Sequence, residues 1–232
     1  MNAHELLTFL CEDPTDEAAA RITPWITQSK RFHAFAVDNR TKIRKKLRTA
    51  ATQESLQSVL LELEVARHFV ADRRCRVEYE RYGQGRGRSP DLTVTFRART
   101  IVNLEVTQAQ EPGAETPEWV GKLIGLVCQK LGQMMPESLN VLVVASEGGS
   151  LTIEEVTGAM KRLKERVEQR EGDLLARFGF TDPSDFFKQF QWLSGIVVWK
   201  SQEHALGTGK SLWTNPQARR PLPTEMVSLL RV

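Results

Sequence analysis

Near residue 75 the hydrophobic period of this chain changes from that of a helix to that of a strand, and no other feature narrows its fold as far. Before the change, TQESLQSVLLELEVARHFV puts Leu56, Val59, Leu60, Leu63, Ala66 and Val70 at helical spacing. That spacing predicts a helix of roughly five turns with one apolar face. After the change, CRVEYERY alternates Val77 and Tyr79 against charged residues, and the glycine-rich GQGRGRSP reads as a turn. DLTVTF then sets Asp91, Thr93 and Thr95 against Leu92, Val94 and Phe96, and TIVNLEVTQ sets Asn103, Glu105 and Thr107 against Val102, Leu104 and Val106. A period of two places alternate side chains on opposite faces of a sheet, so three consecutive strands are expected.

Helical spacing returns from Pro117 to Met135, carried by Val120, Leu123, Ile124, Val127, Leu131 and Met134. LNVLVVAS and LSGIVVWK are continuous apolar runs, the pattern of strands buried on both faces. Between them, Thr152 and Glu155 make a capping box for a helix through about Arg170, and a further helix is expected near 184–191. The first fifty residues read as helices, with a break at Ile22-Thr23-Pro24-Trp25. The expected organisation is a helical extension over 1–50 and one α/β domain over 51–232. A length of 232 residues is ample for such a core.

Other classes recede. The chain holds no run of ~20 apolar residues, so no membrane span is expected. The first residues, MNAHELLTFLCED, are acidic, and their apolar stretch is too short for a signal peptide. Cys11, Cys75 and Cys128 lie far apart with no CxxC spacing, which argues against a disulfide framework or structural zinc and for a reducing, cytoplasmic address. The net charge of +3 is unevenly spread: residues 1–20 carry five acids and no Lys or Arg, and residues 21–50 carry nine bases and one acid. Residues 65–100 add nine bases against four acids. Basic charge concentrated in the first half points to a polyanionic partner.

Three acids stand where a metal site needs them. Asp91 opens one strand directly after Pro90, Glu105 lies in the next strand, and Glu62 lies at the margin of the preceding helix's apolar face. If the two strands pair as a hairpin, Asp91 and Glu105 reach the same side of the sheet. Converging carboxylates supply the hard oxygen ligands that Mg²⁺ prefers.

The string SPDLTVTF followed by IVNLEVT, with ELEVA on the preceding helix, resembles the PD-(D/E)xK superfamily of restriction-endonuclease-like nucleases. The order helix, three-stranded meander, helix, strand over about residues 52–146 matches that family's core. The resemblance implies that Asp91 and Glu105 hold Mg²⁺ or Mn²⁺ and that Glu62, rather than Glu64, is the assisting helix acid. It implies cleavage of nucleic-acid phosphodiesters, with DNA as the expected partner; a homodimer is compatible with it. The departure is Thr107, which stands where the family has lysine and brings no positive charge. Some branches carry the lysine on the following helix. With Val120 as the zero of angle and about a hundred degrees per residue, Lys130 falls on the border of the apolar stripe, while Lys122 falls on the solvated side. Lys130 is therefore the candidate replacement, with Gln133 one turn on.

Arg86 and Arg88 in the glycine-rich turn, and Arg44 and Arg48 on a stripe with Arg40, are the candidate phosphate-backbone contacts. Each has a plainer reading, as turn or solvated-helix residues. The rival function is a nuclease-like module that binds nucleic acid or a partner protein without cutting, and Thr107 favours it. A third reading is an interaction protein unrelated to nucleic acid. GTGKS at 207–211 lacks the glycine that a phosphate-binding loop requires, His204 standing in its place, and GQGRGR lacks dinucleotide-loop spacing.

Overall fold

The computed structural model describes residues 1–11, 16–82, 89–109, 119–146, 150–200 and 211–231. Among them, mixed α/β structure divides into two compact units, one of Met1–Arg81 with Asp91–Ile101 and the other of Tyr82–Pro90 with Val102–Val232. The helical first fifty residues thus share a unit with the helix and two strands that follow them.

The first unit contains α1 (Ala3–Leu10), α2 (Glu17–Gln28), α3 (Lys30–Asp38), α4 (Arg40–Thr49), α5 (Gln53–Ala71), β1 (Cys75–Tyr79) and β2 (Leu92–Phe96). The break expected at Pro24 is absent, because α2 runs through it to Gln28. Thr23 donates its hydroxyl to the Ala19 carbonyl at 2.7 Å and Thr27 to that of Thr23 at 2.9 Å, side-chain bonds that add to the helix on either side of the proline. The chain turns instead at Ser29, whose hydroxyl caps Phe32 of α3, and again at Asn39, whose side-chain amide takes the Phe35 carbonyl at 2.8 Å. Thr52 and Ser55 form a capping box that starts α5. From Val59 onward α5 is buried on most of its circumference, its two glutamates included.

β1 and β2 pair antiparallel, with Val77 opposite Val94 and Tyr79 opposite Leu92. Arg31 fixes the exit of α5 by donating to the Val70 carbonyl at 2.6 Å and the Asp72 carbonyl at 3.2 Å. A line of ring contacts, Trp25 to Phe32 to Phe35 to Tyr79, joins the helices to β1.

The second unit takes in most of β3 (Thr100–Ala109), then α6 (Trp119–Leu131), β4 (Leu139–Ser146), α7 (Ile153–Glu168), α8 (Gly172–Arg177), α9 (Pro183–Phe190), β5 (Leu193–Trp199), β6 (Ser211–Thr214) and α10 (Thr224–Leu230). The strand order is β3-β4-β5-β6, parallel except for the last, antiparallel pair. Parallel neighbours require a crossover, which α6 makes between β3 and β4 and α7 to α9 make between β4 and β5. β5 is buried along its length and β4 along all but its end residues, as continuous apolar runs demand. Leu123, Ile124, Val127 and Leu131 of α6 join Met160, Leu163, Phe186 and Phe190 in the core. Gly195 is needed where β5 meets β6, since a Cβ there would lie 2.8 Å from the Trp213 carbonyl oxygen.

The three cysteines are buried and free of disulfides, and no described helix is long and apolar enough to cross a membrane.

Candidate functional site

In the first unit the acids predicted to matter surround a residue that was not predicted. Lys46 reaches from α4 and places its ammonium 2.7 Å from Glu62 Oε2 and 3.0 Å from Glu62 Oε1. The same ammonium lies 3.3 Å from Glu80 Oε1 and 3.7 Å from Asp91 Oδ1. Tyr79 donates its hydroxyl to Glu62 Oε2, and its ring centroid lies 5.0 Å from the ammonium. One turn earlier on α4, Lys42 donates to the carbonyls of Tyr79 at 2.6 Å and Glu80 at 3.0 Å. The Glu80 N–H donates to the Asp91 carbonyl at 3.0 Å. Glu80 has φ 44, a left-handed conformation uncommon for a residue with a side chain, and these contacts hold it there. Thus α4, α5 and the end of β1 together set the direction of the Asp91 carboxylate.

The electrostatics of the cluster follow from burial and charge. Burial, reinforced by the negative charge of Asp91, pushes the Glu62 pKa from 4.5 up to about 7 against the opposing pull of Lys46. Burial works to lower the Lys46 pKa, but Glu62, Asp91 and Glu80 outweigh it and hold the ammonium above its ordinary value. Burial, with Glu62 beside it, also holds the Tyr79 phenol well above its usual range. Glu64, the less favoured helix acid, points elsewhere and pairs with Arg21 at 3.6 Å. Glu62 is therefore the helix acid that joins Asp91.

In the second unit Glu105 lies on β3, in register with Leu142 of β4. The residue is only 4% exposed, not solvated as a lone acid in an alternating strand usually is. Lys130, in the last turn of α6, puts its ammonium 3.2 Å from Glu105 Oε2 and 3.0 Å from Gln133 Oε1. Helical phase had placed Lys130 at the edge of the apolar stripe, and from there its four-carbon stem carries the charge to the sheet. Thr107, two residues beyond Glu105, is half-buried.

Arg44 lies with its guanidinium 4.6 Å above the Phe9 ring, so part of the basic stripe covers apolar surface. Arg40 donates to the Val37 carbonyl at 2.9 Å, and Arg48 is exposed. Arg86 and Arg88 lie outside the described residues, as do Gly207 to Lys210 of GTGKS.

Among the described residues, no group of three or more His, Cys, Asp or Glu is arranged to hold a metal ion. Mg²⁺ does not require such a cage, because it keeps several waters and is commonly held by one or two carboxylates. The ammonium drawn among three carboxylates marks the first unit's cluster as a place that favours positive charge. Asp91 and Glu105 are each oxygen donors of the hardness that Mg²⁺ prefers.

The residues that sequence reasoning missed are Lys46, Tyr79 and Glu80. A signal was present: Lys42 and Lys46 are four apart, flanking Ile43, the buried residue of α4. That places both lysines at the edge of the face that α4 turns inward.

No protein-family model matches the chain, and no curated protein matches it.

Proposed function

We propose that this chain is a metal-dependent nuclease of the restriction-endonuclease type, hydrolysing phosphodiester bonds in nucleic acid, with DNA the expected substrate. The observation that carries the reading is the Lys130 ammonium 3.2 Å from the Glu105 carboxylate. It supplies, from the following helix, the positive charge that Thr107 lacks. The element order α5, β1, β2, β3, α6, β4 supports the same reading, since it is the helix, three strands, helix, strand of the family core.

Asp91 and Glu105 would hold Mg²⁺ or Mn²⁺, which when bound supplies Lewis acidity and a more acidic water. Lys130 directs its ammonium at the non-bridging oxygens of the scissile phosphate, where charge grows in the transition state. Glu62, held by Lys46 and Tyr79, faces the Asp91 side of the centre and accepts a hydrogen bond from the attacking water. Arg44, Arg48, Arg86 and Arg88 contact the nucleic-acid backbone without reading sequence.

The second reading is a binding module that does not cut. The observation favouring it is that Lys46 already pairs with Asp91, one of the two acids that would hold the metal, and with Glu62. Cleavage assays on single-stranded DNA, duplex DNA and RNA, with Mg²⁺ and with Mn²⁺, separate the two. A nuclease loses cleavage on Asp91→Ala and loses about 10²–10³ in rate on Lys130→Ala while still binding substrate. A wild-type protein that binds in a salt-dependent way yet cuts none of these substrates establishes the binding module.

A further inference from the structure

A cleft of about 720 Å³ opens in the second unit between the end of α6 and the segment from Arg177 to α9. Its polar walls are Gln129, Lys130 and Gln133 on one side and Arg177 and Gln189 on the other, with the half-buried Phe178 beside Arg177. Among the described residues no carboxylate lines it, and two cations do. From this lining we infer a nucleotide-binding pocket that receives the base and phosphate of one unpaired nucleotide. The inference rests on the nuclease reading for its biological purpose, though not for its chemistry.

The polar groups are a poor match for a simple anion and a good one for a base. Carboxamides present a donor beside an acceptor, the pattern that base edges complement. Lys130 occupies Gln133 Oε1 at 3.0 Å, leaving the Gln133 NH₂ to donate. Gln189 spends its own Nε2 on Asp185 at 3.1 Å, leaving its carbonyl oxygen to accept. Opposite walls thus offer complementary groups. The Arg177 guanidinium lies 5.4 Å from the Phe178 ring centroid, so a planar cation and an aromatic ring stand together where a base face would stack. The volume lies within the range of about 300–1,000 Å³ typical of ligand pockets.

The position connects the pocket to the chemistry. Lys130 touches Glu105 at 3.2 Å and lines the cleft with the same side chain. A nucleotide seated here lies one side chain from the proposed centre, so the pocket selects the residue flanking the scissile phosphate. An unpaired base meets it at the lowest cost, which makes single-stranded or flipped-out nucleotides the preferred substrate. Gly132 lines the cleft, and a Cβ built on it meets nothing within 4 Å, so the approach is open there.

Isothermal titration of the full chain with ribose 5-phosphate, 2-deoxyribose 5-phosphate and the ribo- and deoxyribonucleoside monophosphates tests the pocket without any cleavage. At least one mononucleotide binds about tenfold more tightly than its own sugar phosphate, the difference expected of base contacts. Arg177→Ala and Gly132→Leu each weaken that binding about tenfold or more, and both positions are exposed, so the variants fold. Sugar phosphates binding as tightly as the nucleotides, binding indifferent to both substitutions, or no nucleotide binding at all overturns the proposal. Nucleotide binding in a protein that cuts nothing would end the nuclease reading and leave the pocket standing. Cleavage with unchanged KM in Arg177→Ala and Gly132→Leu would do the reverse.

Discussion

Lys46 and Lys130 are almost equally exposed, at 21% and 22% of their side chains, yet they are held in opposite ways. Lys46, in the first unit, has three carboxylates within 4 Å and an aromatic ring beneath it. Lys130, in the second, has one carboxylate and one neutral carboxamide, beside an open cleft. An ammonium has three donors. Those of Lys46 are spent on acids of its own unit, whereas among the described residues Lys130 shares its charge with a single acid and borders open space. Equal exposure therefore hides two settings: Lys46 is the counter-charge that lets acids be buried together, and Lys130 is a charge held beside open space, where the proposed function would have it meet an anion.

The largest effect that would break this comparison is on stability. Lys46→Met strands Glu62, Glu80 and Asp91 against one another, and urea denaturation should register a loss of about 3–5 kcal/mol. Lys130→Met removes the partner of one acid that has further contacts, and should cost about 1–2 kcal/mol. Equal losses from the two substitutions would erase the distinction.

A subtler difference lies in pH. The Glu62 pKa is raised by folding from 4.5 to about 7, so its contribution to stability is fully present below the lower value and is lost as pH rises through the upper one. Glu62→Gln has no such loss. Its stability relative to the wild type should therefore improve between about pH 5 and pH 8, and movement the other way would mean that Lys46 outweighs burial. The smallest effect is at Arg44, stacked on Phe9, where Arg44→Ala should cost less than about 1 kcal/mol in the same denaturation assay.

Much of the molecule was legible because local pattern and tertiary burial agree. Val59, Leu60 and Leu63 announce α5, and alternation from Leu92 to Phe96 announces β2. Val141 to Val144 announce a buried strand, and the Thr152–Glu155 box announces α7. The Lys130–Glu105 contact was readable too, since it needs only helical phase on one element and strand parity on the other. Illegible parts depend on short or distant interactions. α8 and β6 span six and four residues, too few for a period to declare itself. Pro24 read as a break because proline usually is one, yet α2 continues through it to Gln28. Lys46 was hidden because its partners at 62, 80 and 91 come from three separate segments. In KIRKKLR only the placing of Lys42 and Lys46 about Ile43 sets these two lysines apart, and it does not name their partners.

The proposed function requires Asp91 and Glu105 to serve the same divalent ion. Titration with Mn²⁺ followed by electron paramagnetic resonance tests it directly, in the wild type, Asp91→Ala, Glu105→Ala and the double variant. Ligands of one ion are coupled, so each single substitution should weaken Mn²⁺ binding about tenfold or more and the double should weaken it by less than the product of the two. Losses that multiply, or Mn²⁺ binding untouched by either substitution, would contradict a shared centre.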